Sequence, residues 1–233
     1  MRFPSCSLLL RALLGALLAT GLAACRYTGP SDLATPPPET VTLLWAGAVT
    51  DSSARVVARY EEAGAQVRLA VDTSDDWSSP MVFDGTSPRT NKNVRHFQLS
   101  DLTPQTTYHY ALEVNGRVDT AYSGHFRTFA DGPFSFRVGL GGCALTGSNH
   151  PVFETIRQAQ PDLFLHMGDM HYEDIVSTIP RPFRLAYRTV HGAERQADLY
   201  RSTALAYVWD DHDYGPNNSS RLAPGQDVAQ RVY

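Results

Sequence analysis

The chain has 233 residues, 42% of them hydrophobic and 19% charged. That composition excludes a disordered, collagen-like or disulfide-dense chain and leaves room for one large or two small domains, each with its own core. The formal charge of -4 argues against a dedicated nucleic-acid-binding surface.

The chain opens on an address. Arg2 and Arg11 are the only charges before Cys25, and Ala12 to Ala24 is small, apolar and uncharged. A membrane span needs about 20 apolar residues, so this run fits the core of a signal peptide instead. It ends in Leu22-Ala23-Ala24-Cys25, which resembles the lipobox of bacterial lipoproteins. That resemblance implies removal of residues 1–24, lipid on Cys25, and a Sec route to an extracytoplasmic, membrane-anchored position. A plain signal cleaved after Ala24 is the simpler alternative. Residues 25–40 are polar and end in Pro36-Pro37-Pro38, the composition of an extended tether.

Residues 41–130 carry seven β-rich runs at roughly ten-residue spacing. They are Val41–Val49, Ala54–Tyr60, Gln66–Thr73, Met81–Asp84, Val94–Leu99, Thr106–Val114 and Tyr122–Phe129. Tyr108, Tyr110, Leu112 and Val114 alternate with His109, Ala111 and Glu113, a period of two with one face buried. Asn115-Gly116 is the strongest hairpin signal in the chain. Seven short strands in about 90 residues predict an all-β sandwich. The stretch Leu102 to Tyr110 resembles the fibronectin type III pattern, with Tyr108 as its tyrosine corner. His96, His109 and His125 fall on separate strands and read as structural or surface residues.

The periodicity changes after Asp131-Gly132-Pro133, and residues 134–233 read as the start of an α/β domain. Phe134–Leu140 is expected as a buried strand, Pro151–Gln160 as an amphipathic helix, and Asp162–Met167 as a second strand. Helices near Pro182–Val190 and Ala193–Ser202 follow, then a third strand, Ala204–Trp209, and a further helical run from Asp227. This β-α-β-α-β order predicts a parallel sheet. Polar clusters sit just past the carboxyl end of each strand, where open α/β sheets place ligands. The first offers Cys143. The second offers Asp169 and Tyr172 in Gly-Asp-Met-His-Tyr. The third offers Asp210, Asp211, His212, Asp213 and Asn217. Thiolate, carboxylate, phenolate and amide oxygen form a metal-ligand set, not a nucleophile–base triad. Two acidic strand ends would repel one another without compensating cations. There is no Gly-x-Ser-x-Gly elbow and no Walker loop.

Gly-Asp-x-x-Tyr resembles the second motif of metallophosphoesterases of the purple acid phosphatase kind. Gly141-Gly142-Cys143 with Trp209-Asp210-Asp211-His212-Asp213-Tyr214-Gly215-Pro216-Asn217 is similar to the PhoD-type alkaline phosphatase/phosphodiesterase family. That family also places a β-sandwich before its catalytic domain. The resemblance implies hydrolysis of phosphate mono- or diesters with Fe(III) and calcium. On this chain it makes Cys143 and Tyr172 ligands of iron and Asp169 the bridge between metals. Asp210 and Asn217 would belong to the calcium site, with Asp211 open as the alternative to Asp210. Asp211 and His212 lie where the wider superfamily has an Asn-His pair, so His212 would contact phosphate or protonate the leaving group. Arg188, with Arg181 and Arg184, and more weakly His171, are candidates for the substrate phosphate. His150 and His166 read as structural.

Such sites are assembled from two halves, and the later histidine and acidic ligands are not present in this sequence. The chain is therefore expected to be an amino-terminal part of a longer protein and by itself nearly inactive. A non-catalytic surface lipoprotein, with the sandwich as its binding module, is the rival function. With Cys6 in the leader, Cys25 lipidated and Cys143 on iron, no disulfide is expected.

Overall fold

The computed structural model describes residues 41–61, 64–88 and 93–232. The leader, Cys25 and the Pro-rich tether lie outside the described residues. All seven expected sandwich strands form: β1 Val41–Gly47, β2 Ala54–Tyr60, β3 Val67–Asp72, β4 Met81–Asp84, β5 Val94–Leu99, β6 Thr107–Val114 and β7 Arg117–Arg127. β7 starts five residues earlier than expected, because the Asn115-Gly116 turn joins it directly to β6. Both turn residues have positive φ, 50° and 82°, as a type I′ hairpin requires.

The strands split into two facing sheets. One has the order β4-β3-β6-β7; β5-β2-β1 form part of the other. Ala54, Val56, Ala58 and Tyr60 of β2 point inward and meet Tyr108, Tyr110, Leu112 and Val114 of β6 in one apolar core. The Tyr108 hydroxyl accepts a hydrogen bond from the Thr103 backbone N–H at 2.8 Å, the back-bonding that defines a tyrosine corner.

The second part adds β8 Val138–Gly141, α1 Val152–Gln158, β9 Leu163–His166, α2 Pro180–Gly192, α3 Glu194–Arg201, β10 Ala204–Tyr207 and α4 Gln226–Val232. β8 and β10 both pair parallel with β9. What the strand pattern alone did not reveal is that β10 also pairs parallel with β1, at Gly47 and Leu205. The result is one mixed six-stranded sheet, β5-β2-β1-β10-β9-β8, running from the sandwich into the α/β part. Two side contacts fasten the same junction. The Tyr110 hydroxyl donates to the Arg201 carbonyl at 2.9 Å. Gly124 lies so close to that carbonyl that an added Cβ would sit 2.3 Å from it.

Phe164 of β9 and Leu205 of β10 pack with Phe153 of α1 and with Leu199 and Tyr200 of α3. The buried strand expected at Phe134–Leu140 is corrected. Only Val138–Gly141 is strand, and it is the sheet's edge. Gly139 and Gly141 face Phe164. Val138 and Leu140 point the other way and are 40% and 60% exposed. Among the described residues no helix is long and apolar enough to cross a membrane.

Candidate metal centre

Three loops, one past each of β8, β9 and β10, frame the site, and backbone hydrogen bonds lace the first two together before any side chain is considered. The Cys143 N–H donates to the Gly168 carbonyl at 3.2 Å, and the Ala144 N–H to that of Asp169 at 3.4 Å. Gly168 is needed where it stands: its φ is +100°, and a Cβ there would meet the Asp210 backbone nitrogen at 2.8 Å. Tyr172 N–H is held by Thr146 Oγ1 at 2.8 Å.

The organiser of the site is Asp213, a member of the third polar cluster that the family resemblance leaves without a role. Its carboxylate is 1% exposed and accepts from three backbone N–H groups: Asp169 at 2.8 Å, Met170 at 3.0 Å and Asp210 at 2.9 Å. It thereby ties the β9 loop to the β10 loop. Burial raises its carboxyl above the ordinary aspartate range, and the three donors oppose that rise. The Asp210-x-x-Asp213 spacing of a capping box was the available signal.

On this frame the candidate ligands converge. Asp169 is buried, with φ at +53°, and Cys143 at +58° is also in the left-handed region. Such strain, of order 1–3 kcal/mol per residue, persists where the surroundings over-determine it and clusters at functional sites. Asp169 Oδ2 accepts from the Tyr172 hydroxyl at 2.8 Å and lies 3.7 Å from Cys143 Sγ. Asp169 Oδ1 accepts from the His212 N–H at 3.3 Å. Donor atoms of Asp169, Asp211 and His212 all lie within 4.8 Å of one another. The nearby Cys143 sulfur, then burial and the Asp169 carboxylate, push the Tyr172 hydroxyl above the usual phenol range. The His212 ring lies 4.2 Å from that of Tyr172. Its Nδ1 is 3.0 Å from Asp174 Oδ1 but is not aligned for a hydrogen bond.

The remaining expected residues fall elsewhere. Asp210 is exposed, and its Oδ1 accepts from the Asp211 N–H at 2.9 Å as a cap. Asp211, not Asp210, stands in the close group with Asp169. The second carboxylate oxygen of Asp211, Oδ2, accepts from the Asn218 N–H. Asn217 is exposed, and its backbone N–H donates to Asp174 Oδ1 at 3.2 Å. His171 is fully buried with its ring edge-on to Tyr187 of α2, 5.2 Å away, so it faces the helix and not a substrate. Burial holds it down at about 4. Arg188 reaches Glu61 at the end of β2, with Nη2–Oε1 at 3.3 Å, and does not join the group. Cys143 is a free, exposed thiol. A cavity of about 820 Å³ lies at the opposite, amino ends of the strands and touches none of these residues.

No protein-family model matches this chain, and no curated protein matches it by sequence. Solved structures do. The structure of PhoD aligns with 82% of this chain at a TM-score of 0.60 and 18% identity. A purple acid phosphatase, PPD1 from yellow lupin seeds, aligns with 83% at a TM-score of 0.58 and 14% identity. The fold is therefore that of the PhoD and purple acid phosphatase structures. The chain spans 42% of the first structure's length and 40% of the second's.

Proposed function

We propose that this chain carries part of a metal-dependent phosphoesterase centre of the PhoD kind. The observation that carries the reading is convergence at Asp169: a thiol and a phenol meet on one of its oxygens, while its other side faces Asp211 and His212. The donor set suits two cations of different taste. Soft sulfur with phenolate oxygen suits iron on the Cys143–Tyr172 side, and oxygen ligands in loose geometry suit calcium on the Asp211 side. Bound there, such ions would supply Lewis acidity towards a phosphoryl oxygen.

The chain's own residues have separable tasks. Asp169 holds the two sides in register through its two oxygens. A cation on that side would take Tyr172 as its phenolate and Cys143 as its thiolate. Asp213 fixes both loops from beneath. His212, beside Tyr172 and with Asp174 3.0 Å from its Nδ1, is assigned to the substrate's phosphate or leaving group. The sandwich supports the site through the shared sheet. The lipobox-like Leu22-Ala23-Ala24-Cys25 supports an extracytoplasmic protein anchored by lipid on Cys25.

The test is colour and metal content together. Iron-loaded protein should show a visible phenolate-to-iron band that Tyr172→Phe removes, and should release the phenol, at a low rate for so partial a centre, from an aryl phosphate mono- or diester. Protein that is colourless, iron-free by elemental analysis and still fully active would overturn the iron assignment. Labelled palmitate incorporation that survives Cys25→Ala would overturn the anchor.

A further inference from the structure

His109 and His125 fall on separate strands, yet the register sets them face to face. β6 and β7 pair antiparallel with His109 directly opposite His125. Their inward neighbours Tyr108, Tyr110 and Phe126 fill the core, so both imidazoles point to the outer face of the sheet. Directly opposite side chains are neighbours across a ladder, and these two ring centres are 5.9 Å apart with a tilt of 42°. One metal holding two imidazole nitrogens at about 2.0–2.1 Å would set ring centres roughly 5–6 Å apart. The pair is therefore already spaced for a shared cation. Among the described residues no hydrogen bond takes up either ring.

The surroundings suit a cation. The two rings line a cavity of about 290 Å³ together with Ser123 of β7 and Asp198 of α3. On the other side of His109 the register places Asp72 of β3. The Asp72 carboxylate is held in place by the Ser74 and Ser79 N–H groups, which donate to it at 3.2 and 3.0 Å. One carboxylate thus comes to the pair from each half of the molecule. The two arginines that line the cavity are each met by an acid. Arg157 forks onto Glu154 at 2.7 and 2.8 Å, and Arg201 meets Asp198 at 2.6 Å. Partial burial, then His109 and Arg157, hold the His125 ring below the ordinary histidine range. That leaves it neutral at pH 7, the form in which imidazole ligates a metal.

We propose that His109 and His125 together bind one divalent transition cation, of the copper, nickel or zinc class, through one ring nitrogen each, leaving its other positions open to water. Imidazole suits these ions, and copper(II) heads their order of affinity. The site stands on two paired strands, separate from the Asp169 group, and does not depend on the phosphoesterase reading.

The experiment titrates copper(II) into the full chain carrying Cys143→Ser and Asp169→Asn, so that the candidate metal centre does not answer for the result. Proton–nitrogen spectra of the imidazoles follow the paramagnetic broadening ring by ring. The His109 and His125 signals are expected to vanish together, at less than one copper per chain and before those of the other histidines. In calorimetry, His109→Gln and His125→Gln should each weaken binding by about tenfold or more, and the two changes together should cost little more than either, because the rings act as a unit. Should a variant not fold, the spectra of the parent protein decide. Broadening that starts at other histidines, or at one ring of the pair without the other, would overturn the proposal. So would binding that survives either single change undiminished.

Discussion

The two halves of this molecule are built to different standards. The sandwich encloses a single core of fully buried side chains, with Tyr110, Phe97, Phe126, Leu69 and Leu112 all essentially inaccessible. The α/β part has smaller apolar clusters, an exposed edge strand, and Met167, Val176, Val208 and Leu222 at more than half exposure. Yet the second half holds the strained Cys143 and Asp169, the buried carboxylate of Asp213, and the histidines His166, His171 and His191 inside its packing. Rigidity and chemistry have been divided between them: one half is closely packed and chemically plain in its core, the other polar at its centre and held by a few hydrogen bonds.

That contrast can be broken most sharply at Asp169. Asp169→Asn should remove phosphoester turnover and the visible band together, while the melting temperature stays the same or rises slightly, since a carboxylate repelling Asp213 is gone. A large loss of stability would mean the residue is structural. Phe97→Ala, in the sandwich, should do the reverse. It should cost about 3–5 kcal/mol of unfolding free energy in urea and leave metal content unchanged in the protein that remains folded.

Asp213→Ala should affect both properties. Three backbone N–H groups lose their acceptor, at about 1–3 kcal/mol for each left unsatisfied. Metal affinity should fall roughly 10–100-fold, as for other outer-shell partners. Metal binding untouched by this change would remove Asp213 from its organising role.

Acid should separate the halves by a proton count. Burial holds His166, His171 and His191 down to about 4, from an ordinary value near 6.5. Between those values the unfolded chain binds protons that the folded one refuses. The stability they contribute is therefore fully present above about pH 6.5 and is lost as pH falls towards about 4. The slope of unfolding free energy against pH in that window should drop in His166→Leu, by up to one proton. An unchanged slope would show that this histidine already titrates freely. The smallest effect is expected of Arg127→Ala. Its half-exposed guanidinium meets Asp162 across the junction at 3.8 Å, so less than about 1 kcal/mol should follow, with turnover unaltered.

How much of this was legible in the sequence follows the range of the interactions. Period-two alternation from Tyr108 to Val114, the Asn115-Gly116 turn and the tyrosine corner are local, and each was readable from a handful of residues. The convergence of Cys143, Asp169, Tyr172, Asp211 and His212 was legible because strand ends in a parallel sheet share one edge. The pairing of β1 with β10 was not, because it joins residues nearly 160 positions apart through a single register match at Gly47 and Leu205. Side-chain direction was equally hidden. His171 and Tyr172 are neighbours, but one enters the packing beneath α2 and the other reaches Asp169. Arg188 lies on the expected helix, yet its turn of that helix faces Glu61. Spacing to Asn217 favoured Asp210, which instead caps the turn that positions Asp211.

The shared sheet has a consequence for how pieces of this protein can be exchanged. A gene segment cut after residue 130 would carry away Tyr110 without its acceptor on Arg201, Gly124 without the backbone it was shaped to admit, and Trp45 without Tyr207. The sandwich is therefore no transferable cassette, despite its self-contained core. Swapping it for another sandwich of equal stability would leave β10 paired with β9 alone. The last strand before the Asp211–His212 turn would then become an open edge. Any recombinant that keeps the candidate ligands must inherit β1 with them.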